Sequence, residues 1–187
     1  DGKYWLVEIP AREVVLARTA VTAWSQPQCD ALASELAPAL RRRVMFDPVS
    51  RAWYATDASI YQIRPALVVL PESEQDVSAV VLFAQRHGLS VSPRGAGTGL
   101  AGECLGNGIV LDFSAGMNRI VRTDGGRAVA TVEPGCVLQV LNDHVAPLGL
   151  AFGPDPASGT RATMGGILAN NSTGAHSLTH GHAGGHV

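Results

Sequence analysis

The sequence predicts an α+β fold built on several short strands, and three observations predict it. Ala66-Leu67-Val68-Val69-Leu70 is an apolar run stopped by Pro71, followed by a helical stretch and a second strand, Leu89–Ser92. Further short strands follow at Ile109–Asp112, Arg119–Arg122 and Ala128–Val132, the last two separated by the turn Asp124-Gly125-Gly126. Between and around these lie segments with helical rather than alternating spacing of apolar residues.

Taken in order, residues 1–27 carry one strand-like stretch, Glu13–Ala17, and no motif. Residues 28–43 read as a helix with Leu32, Leu36 and Leu40 on one face, although Pro38 sits badly in a helix interior. Phe46 to Tyr61 reads as irregular and aromatic-rich. Ser73-Glu74-Gln75-Asp76 is a helix start, with Ser73 as N-cap and Asp76 favoured by the helix dipole. That helix buries Val77, Val80, Val81 and Ala84 and stops at His87-Gly88. With its flanking strands it makes a β-α-β unit, which implies parallel strands and a right-handed crossover. A later helix spans 136–146, and Thr163 to Asn171 reads as a short helix or turn. The residues from Asn171 to Val187 are polar and rich in Gly and His.

Composition narrows the function. The 187 residues suit one domain with an extension, and a hydrophobic fraction of 46% allows a sizeable core. The charged fraction of 16% excludes a polar disordered chain. A net charge of -2, with Arg41-Arg42-Arg43 as the only basic run, argues against a nucleic-acid partner. No apolar run approaches the ~20 residues a membrane span needs. Asp1-Gly2-Lys3-Tyr4 does not open a signal peptide, and the expected location is cytoplasmic, membrane-peripheral at most. Cys29, Cys104 and Cys136 are scattered and odd in number, which fits a reducing compartment and three small buried hydrophobes.

The densest signal is Pro93-Arg94-Gly95-Ala96-Gly97-Thr98-Gly99-Leu100-Ala101-Gly102. Backbone amides in such a turn converge on an anion, and missing side chains let the chain approach a phosphate. Thr98 adds a hydroxyl, and Arg94 stands where it supplies charge or braces the loop. A diphosphate is the natural guest. Gly97 to Gly102 also matches G-x-G-x-x-G, but the dinucleotide fingerprint must open a helix. Here Glu103-Cys104-Leu105-Gly106-Asn107-Gly108 and a strand follow, so that reading fails. No Gly-Lys-Ser/Thr is present for a Walker A loop.

With the loop go Tyr54–Tyr61, Arg64-Pro65, Pro71–Val77, Gly153-Pro154-Asp155-Pro156, Ala162–Ile167 and Asn170–Ala175. In this order they resemble the FAD-binding domain of the vanillyl-alcohol-oxidase-type (PCMH-type) flavoproteins, nearest to the D-lactate, glycolate and D-2-hydroxyglutarate dehydrogenase branch. The resemblance implies two small β-sheets with flanking helices, truncated in its C-terminal part. It divides the chain into an N-terminal extension with a helix, 1–43, and a partial FAD-binding domain, 44–187.

The resemblance also implies the site. Gly95, Ala96, Gly97, Thr98, Gly99 and Leu100 would hold the FAD pyrophosphate, with Arg94 beside them. Pro154, Asp155, Thr163, Gly165, Gly166, Asn170, Gly174 and Ala175 would line the ribityl and flavin side. Some relatives attach the flavin to a histidine about where Thr98 stands, so non-covalent FAD is expected. The implied activity is oxidation of a small 2-hydroxy acid by hydride transfer to flavin. A quinone, cytochrome, iron–sulfur module or flavoprotein would be the electron acceptor. A sugar or alcohol oxidase of the same fold is the alternative, and an inactive nucleotide-binding fragment the alternative of another class. The base and substrate clamp are expected beyond Val187, so no catalytic residue is named. The tail from Leu178 departs from the family, which carries an aromatic and a basic residue near His180 and His182 and an acidic one near Gly185.

His176/His180 and His182/His186 have the spacing of helical zinc ligands. Gly181, Gly184 and Gly185 argue against a helix there, so an exposed tail without metal is expected. His87 and His144 read as helix-surface residues, and Asp112 as a turn carboxylate.

Overall fold

The computed structural model describes residues 23–40 and 43–187. The strand expected at Glu13–Ala17, and Arg41 and Arg42 of the basic run, lie outside them. The first helix, α1 (Gln26–Leu36), has Ser25 as N-cap and Pro27 in its first turn. It gives way to a 3-10 turn at Ala37–Leu40, so the helix expected to run to residue 43 ends where Pro38 withdraws its amide. After β1 (Val44–Met45) comes α2 (Pro48–Trp53), in a region expected to be irregular. Its start is set by Asp47, whose side chain accepts from the amides of Val49 and Ser50, with Pro48 in the first turn.

Next are β2 (Leu67–Val69), α3 (Glu74–His87) and β3 (Val91–Arg94). Then come β4 (Ile109–Asp112), β5 (Ile120–Asp124), β6 (Val129–Val132) and α4 (Leu138–Val145). The chain closes with α5 (Met164–Ala169), α6 (Ser177–His180) and a 3-10 turn at Ala183–His186. Gly88 ends α3 in the left-handed conformation at φ 64°, as its position after His87 predicts.

Four strands form one sheet in the order β1-β2-β4-β3, and β5 and β6 form an antiparallel hairpin. β2 and β3 both run parallel to β4, which lies between them. The β-α-β unit therefore has parallel strands as expected, but a later strand completes its centre. All four residues of β4 are buried, which suits the middle of a sheet covered on both faces.

Two cores result. The first joins Ala33, Leu36 and Leu40 to Leu67, Val69, Phe83, Ile109 and Leu111. The helix expected in an N-terminal extension is thus packed into the core of the main sheet. The second core joins Leu138, Leu141 and Val145 of α4 to Met164 and Ile167 of α5, with Ile120 and Val132 of the hairpin packed against them.

An ion-pair knot fixes the start of α3. Asp76 Oδ2 accepts from the amides of Glu72 (2.8 Å) and Ser73 (3.1 Å) and lies 2.9 Å from Arg43 Nη2. Arg43 also pairs with Glu72 at 2.7 Å and donates through Nε to the carbonyl of Leu40. Burial pushes the Asp76 carboxyl up, but the Glu72 amide, the Ser73 hydroxyl and Arg43 together hold it below the usual carboxylate value. The carboxylate's contribution is therefore complete above the ordinary unfolded value of about 4 and is lost as pH falls through the lower folded value. Asp76→Asn should cost about 1–3 kcal/mol at neutral pH. Its urea-unfolding curve should approach that of the wild type in acid, and a gap that stays constant with pH would contradict this account.

Candidate functional site

The parallel strands β3 and β4 end side by side at Arg94 and Asp112, whose positions are in register. Carboxyl ends of parallel strands are where open α/β layers leave room for ligands. The glycine loop leaves β3 there, and a groove of about 310 Å³ opens along it. One wall runs from Pro93 to Gly99 with Glu103, Cys104 and Phe113; the other comes from Pro134 and the stretch between Ser158 and Ser172.

The two walls meet because glycine allows it. A Cβ at Gly95 would collide with the Thr163 hydroxyl, and one at Gly165 would lie 2.8 Å from Pro134 Cβ. Thr163 is 2% exposed, precedes the first residue of α5 and bridges to Val137. Among the described residues, the amides from Gly95 to Leu100 donate to no protein acceptor. A row of unpaired donors is costly unless water or a ligand satisfies it. No helix follows the loop, which runs on to β4, so the G-x-G-x-x-G match is not a dinucleotide fingerprint.

Arg94 supplies the charge. Its guanidinium fills the space a Cβ at Gly97 would need, stands 5.3 Å from the centre of the Tyr54 ring and donates to Cys104 Sγ at 3.4 Å. Tyr54 in turn donates to Asp112 Oδ2 at 2.6 Å. Burial, and then the Asp112 carboxylate, push the Tyr54 phenol up, so it stays protonated. Asp112 caps the turn after β4, as expected of a turn carboxylate, but it does more. It is buried and accepts from the amide of Ser114 (2.8 Å), its hydroxyl (2.6 Å) and Tyr54.

Of the residues expected at the site, Arg94, Gly95, Ala96, Gly97, Thr98, Gly99, Thr163, Gly165, Gly166 and Asn170 line the groove. Leu100 does not, and is 77% exposed. Pro154 is buried away from it, and Asp155, Gly174 and Ala175 also lie outside. Asp155 instead accepts from the amide of His176 (3.0 Å) and meets its Nδ1 at 2.6 Å. The His176 amide chiefly, against slight desolvation, holds the Asp155 carboxyl below the usual value. A Cβ at Gly174 would run into the Asp155 backbone.

Among the lining residues that the sequence reading missed are Glu103, Cys104, Phe113, Pro134, Ser158 and Ser172. Glu103 and Cys104 follow the loop directly, a nearness that signals them; Ser158 has no such signal. Cys29 and Cys136 are fully buried as expected, but Cys104 is only half-buried, because the groove opens over it. The tail is mostly exposed as expected, but it is not featureless. Ser177–His180 forms a helical turn, and Ala183 is fully buried with its amide on the carbonyl of Ser172. Gly181, at φ 71°, ends that turn instead of preventing it. Among the described residues no group of three His, Cys, Asp or Glu is arranged to hold a metal, and no helix is long and apolar enough to cross a membrane.

Residues 65–187 match the family of the FAD binding domain. This chain belongs to that family. D-2-hydroxyglutarate dehydrogenase of Escherichia coli (strain K12) is 37% identical over 140 residues, 73% of this chain and 14% of that protein. The glycolate oxidase subunit GlcD of the same strain is 37% identical over 125 residues, 66% of this chain and 25% of that protein. The chain therefore spans a quarter or less of the length of these two relatives. The solved structure of alkyldihydroxyacetonephosphate synthase shares the fold, with a TM-score of 0.72 at 24% identity over 82% of this chain and 31% of that one.

FAD fits what the groove presents. Its diphosphate would suit the free amides from Gly95 to Gly99 and the Arg94 cation. Thr163 and Asn170 would offer a hydroxyl and an amide from the facing wall, which Gly165 and Gly166 also line.

With Cys29 and Cys136 fully buried, Cys104 should be the first thiol modified by N-ethylmaleimide. Burial and the nearby Asp57 push this thiol up against the pull of Arg94, so its labelling should accelerate toward alkaline pH. Saturating FAD should slow it at least about tenfold by covering the groove. Peptide mass mapping reads the site, and equal labelling with and without FAD would contradict the placement of Cys104.

Proposed function

We propose that this chain is the cofactor-holding part of an FAD-dependent dehydrogenase that oxidises a small 2-hydroxy acid, with FAD bound non-covalently. The observation that carries the cofactor reading is the row of unpaired amides from Gly95 to Leu100, with Arg94 packed beneath Gly97. The substrate class rests on the relatives, one named a D-2-hydroxyglutarate dehydrogenase and the other a glycolate oxidase subunit.

When bound, the flavin accepts the hydride from the hydroxyl-bearing carbon of the substrate. This chain's residues hold and shield. Amides from Gly95 to Gly99 bind the diphosphate, and Arg94 offsets its charge. Thr163, fixed at the head of α5, and Asn170, at its end, orient the part of the cofactor that lies beyond the loop. Phe113 from one wall and Pro134 and Ile167 from the other add apolar surface to the groove. Thr98 carries no nucleophilic nitrogen, which supports non-covalent attachment. Leu100 adds its amide to the same row, while Asp155 and Gly174, packed against each other, brace the wall. Electrons leave to an acceptor such as a quinone, a cytochrome, an iron–sulfur module or another flavoprotein.

Purified protein supplied with FAD should show flavin bands near about 370 and 450 nm. Acid precipitation should release the flavin to the supernatant, and flavin left on the polypeptide would overturn the non-covalent reading. Protein that takes up no FAD would overturn the cofactor reading itself. Gly95→Ala, which drives a methyl into Thr163, should weaken FAD binding at least about tenfold. In the protein that carries this chain, D-2-hydroxyglutarate or glycolate should bleach the longer-wavelength band without oxygen; bleaching by an alcohol or sugar alone would replace the proposed substrate class.

A further inference from the structure

We propose that Cys104 is a positioning residue for Arg94, linking its guanidinium to Asp57 while keeping the two charges out of direct contact. The inference rests on the diphosphate reading of the glycine loop. Arg94 Nη1 donates to Cys104 Sγ at 3.4 Å, and Cys104 Sγ stands 3.5 Å from Asp57 Oδ2 as donor. Asp57 is itself fixed, because its Oδ1 accepts from the amide of Ser59 at 2.8 Å. The next residue, Ala58, donates its amide to the carbonyl of Gly97 at 3.0 Å. One thiol thus joins three segments: the end of β3, the turn at Asp57–Ser59 and the stretch after the glycine loop.

The placement has an electrostatic consequence. Among the described residues Arg94 makes no ion pair. The nearby Asp112 is occupied by Tyr54 and Ser114. If Asp57 touched Arg94 directly, the pair would neutralise the cation and compete with an anionic ligand. A sulfur between them gives the guanidinium an acceptor without cancelling its charge. The Tyr54 ring holds the other side at 5.3 Å, so the charge stays under Gly97. The link needs a protonated thiol, since a thiolate would face the Asp57 carboxylate. Burial, added to by Asp57, keeps the proton on.

The test compares the wild-type chain with Cys104→Ala and Cys104→Ser, reading FAD affinity by flavin fluorescence across a range of salt. Losing the sulfur should weaken FAD binding about three- to tenfold at low salt, the worth of one hydrogen bond. It should also flatten the salt dependence, because a guanidinium free to reach Asp57 contributes less screened attraction. Serine retains a donor and an acceptor and should restore both the affinity and the salt slope. The melting curve of the ligand-free alanine variant should remain cooperative. Wild-type affinity in Cys104→Ala, an unchanged salt slope, no rescue by serine, or loss of the cooperative melt would each overturn the proposal and leave Cys104 as a packing residue. A wild-type chain that binds no FAD would remove the functional reading, and this inference with it. Normal FAD binding with an indifferent alanine variant removes this inference alone.

Discussion

The groove depends on how closely the backbone at Gly95 passes Thr163. A methyl group there would occupy the position of the Thr163 hydroxyl. Gly95 extends from the main sheet, and Thr163 belongs to the second core through Met164, Ile167 and its bridge to Val137. The two cores are therefore drawn together along a line of backbone and small side chains. Gly165 repeats the arrangement, with its amide on the carbonyl of Pro134 at 2.8 Å and no room for a side chain beside the Pro134 ring. Ordering so much glycine has a large entropic cost. Close approach of the walls and a row of free amides are what that cost sustains, and neither would survive ordinary side chains at these positions.

The polar groups at the strand ends follow from the same geometry. Arg94 and Asp112 stand in register at the ends of neighbouring parallel strands, where they would be expected to pair. They do not. Asp112 is taken up by Tyr54 and Ser114, and the Tyr54 ring then supports Arg94 from one side. A buried carboxylate satisfied by hydroxyls and an amide needs no cation. The result is a guanidinium held in place with its charge unspent, beneath amides that also lack partners. Both features favour an anion at the same spot, and they arise from different residues.

Much of this was legible in the sequence because the signals are local. The apolar run at Leu67–Val69 before Pro71, the Ser73 cap and Gly88 bound α3 and its strands within a few residues, and the glycine density marks the loop. The short helix at Pro48–Trp53 is hidden by Trp53 and the aromatics that flank it, although Asp47-Pro48 is a helix start in its own right. What could not be read locally was partnership. Nothing in Ile109–Asp112 says that it inserts between β2 and β3. Nothing at Cys104 says that a groove opens over it, or at Asp112 that Tyr54, 58 residues earlier, will occupy it. A resemblance transfers positions in order along the chain and carries no distances; Asp155, Gly174 and Ala175 come with it, and none of the three lines this groove.

Asp155 has a physical role of its own in the far wall. Its carboxylate takes both the backbone amide and the ring nitrogen of His176, and its backbone packs so tightly against Gly174 that no side chain fits between them. The segment around residues 174–176 is thereby clamped to the Pro154 turn. Two residues before the clamp, Ser172 lines the groove, and its carbonyl receives the amide of the buried Ala183 in the tail. The far wall is held at Ser172 from both directions, by the Asp155 clamp and by the docked tail. Residues outside the groove thus set the position of one that lines it. That gives the acidic residue and the glycine at these positions a structural role in the wall.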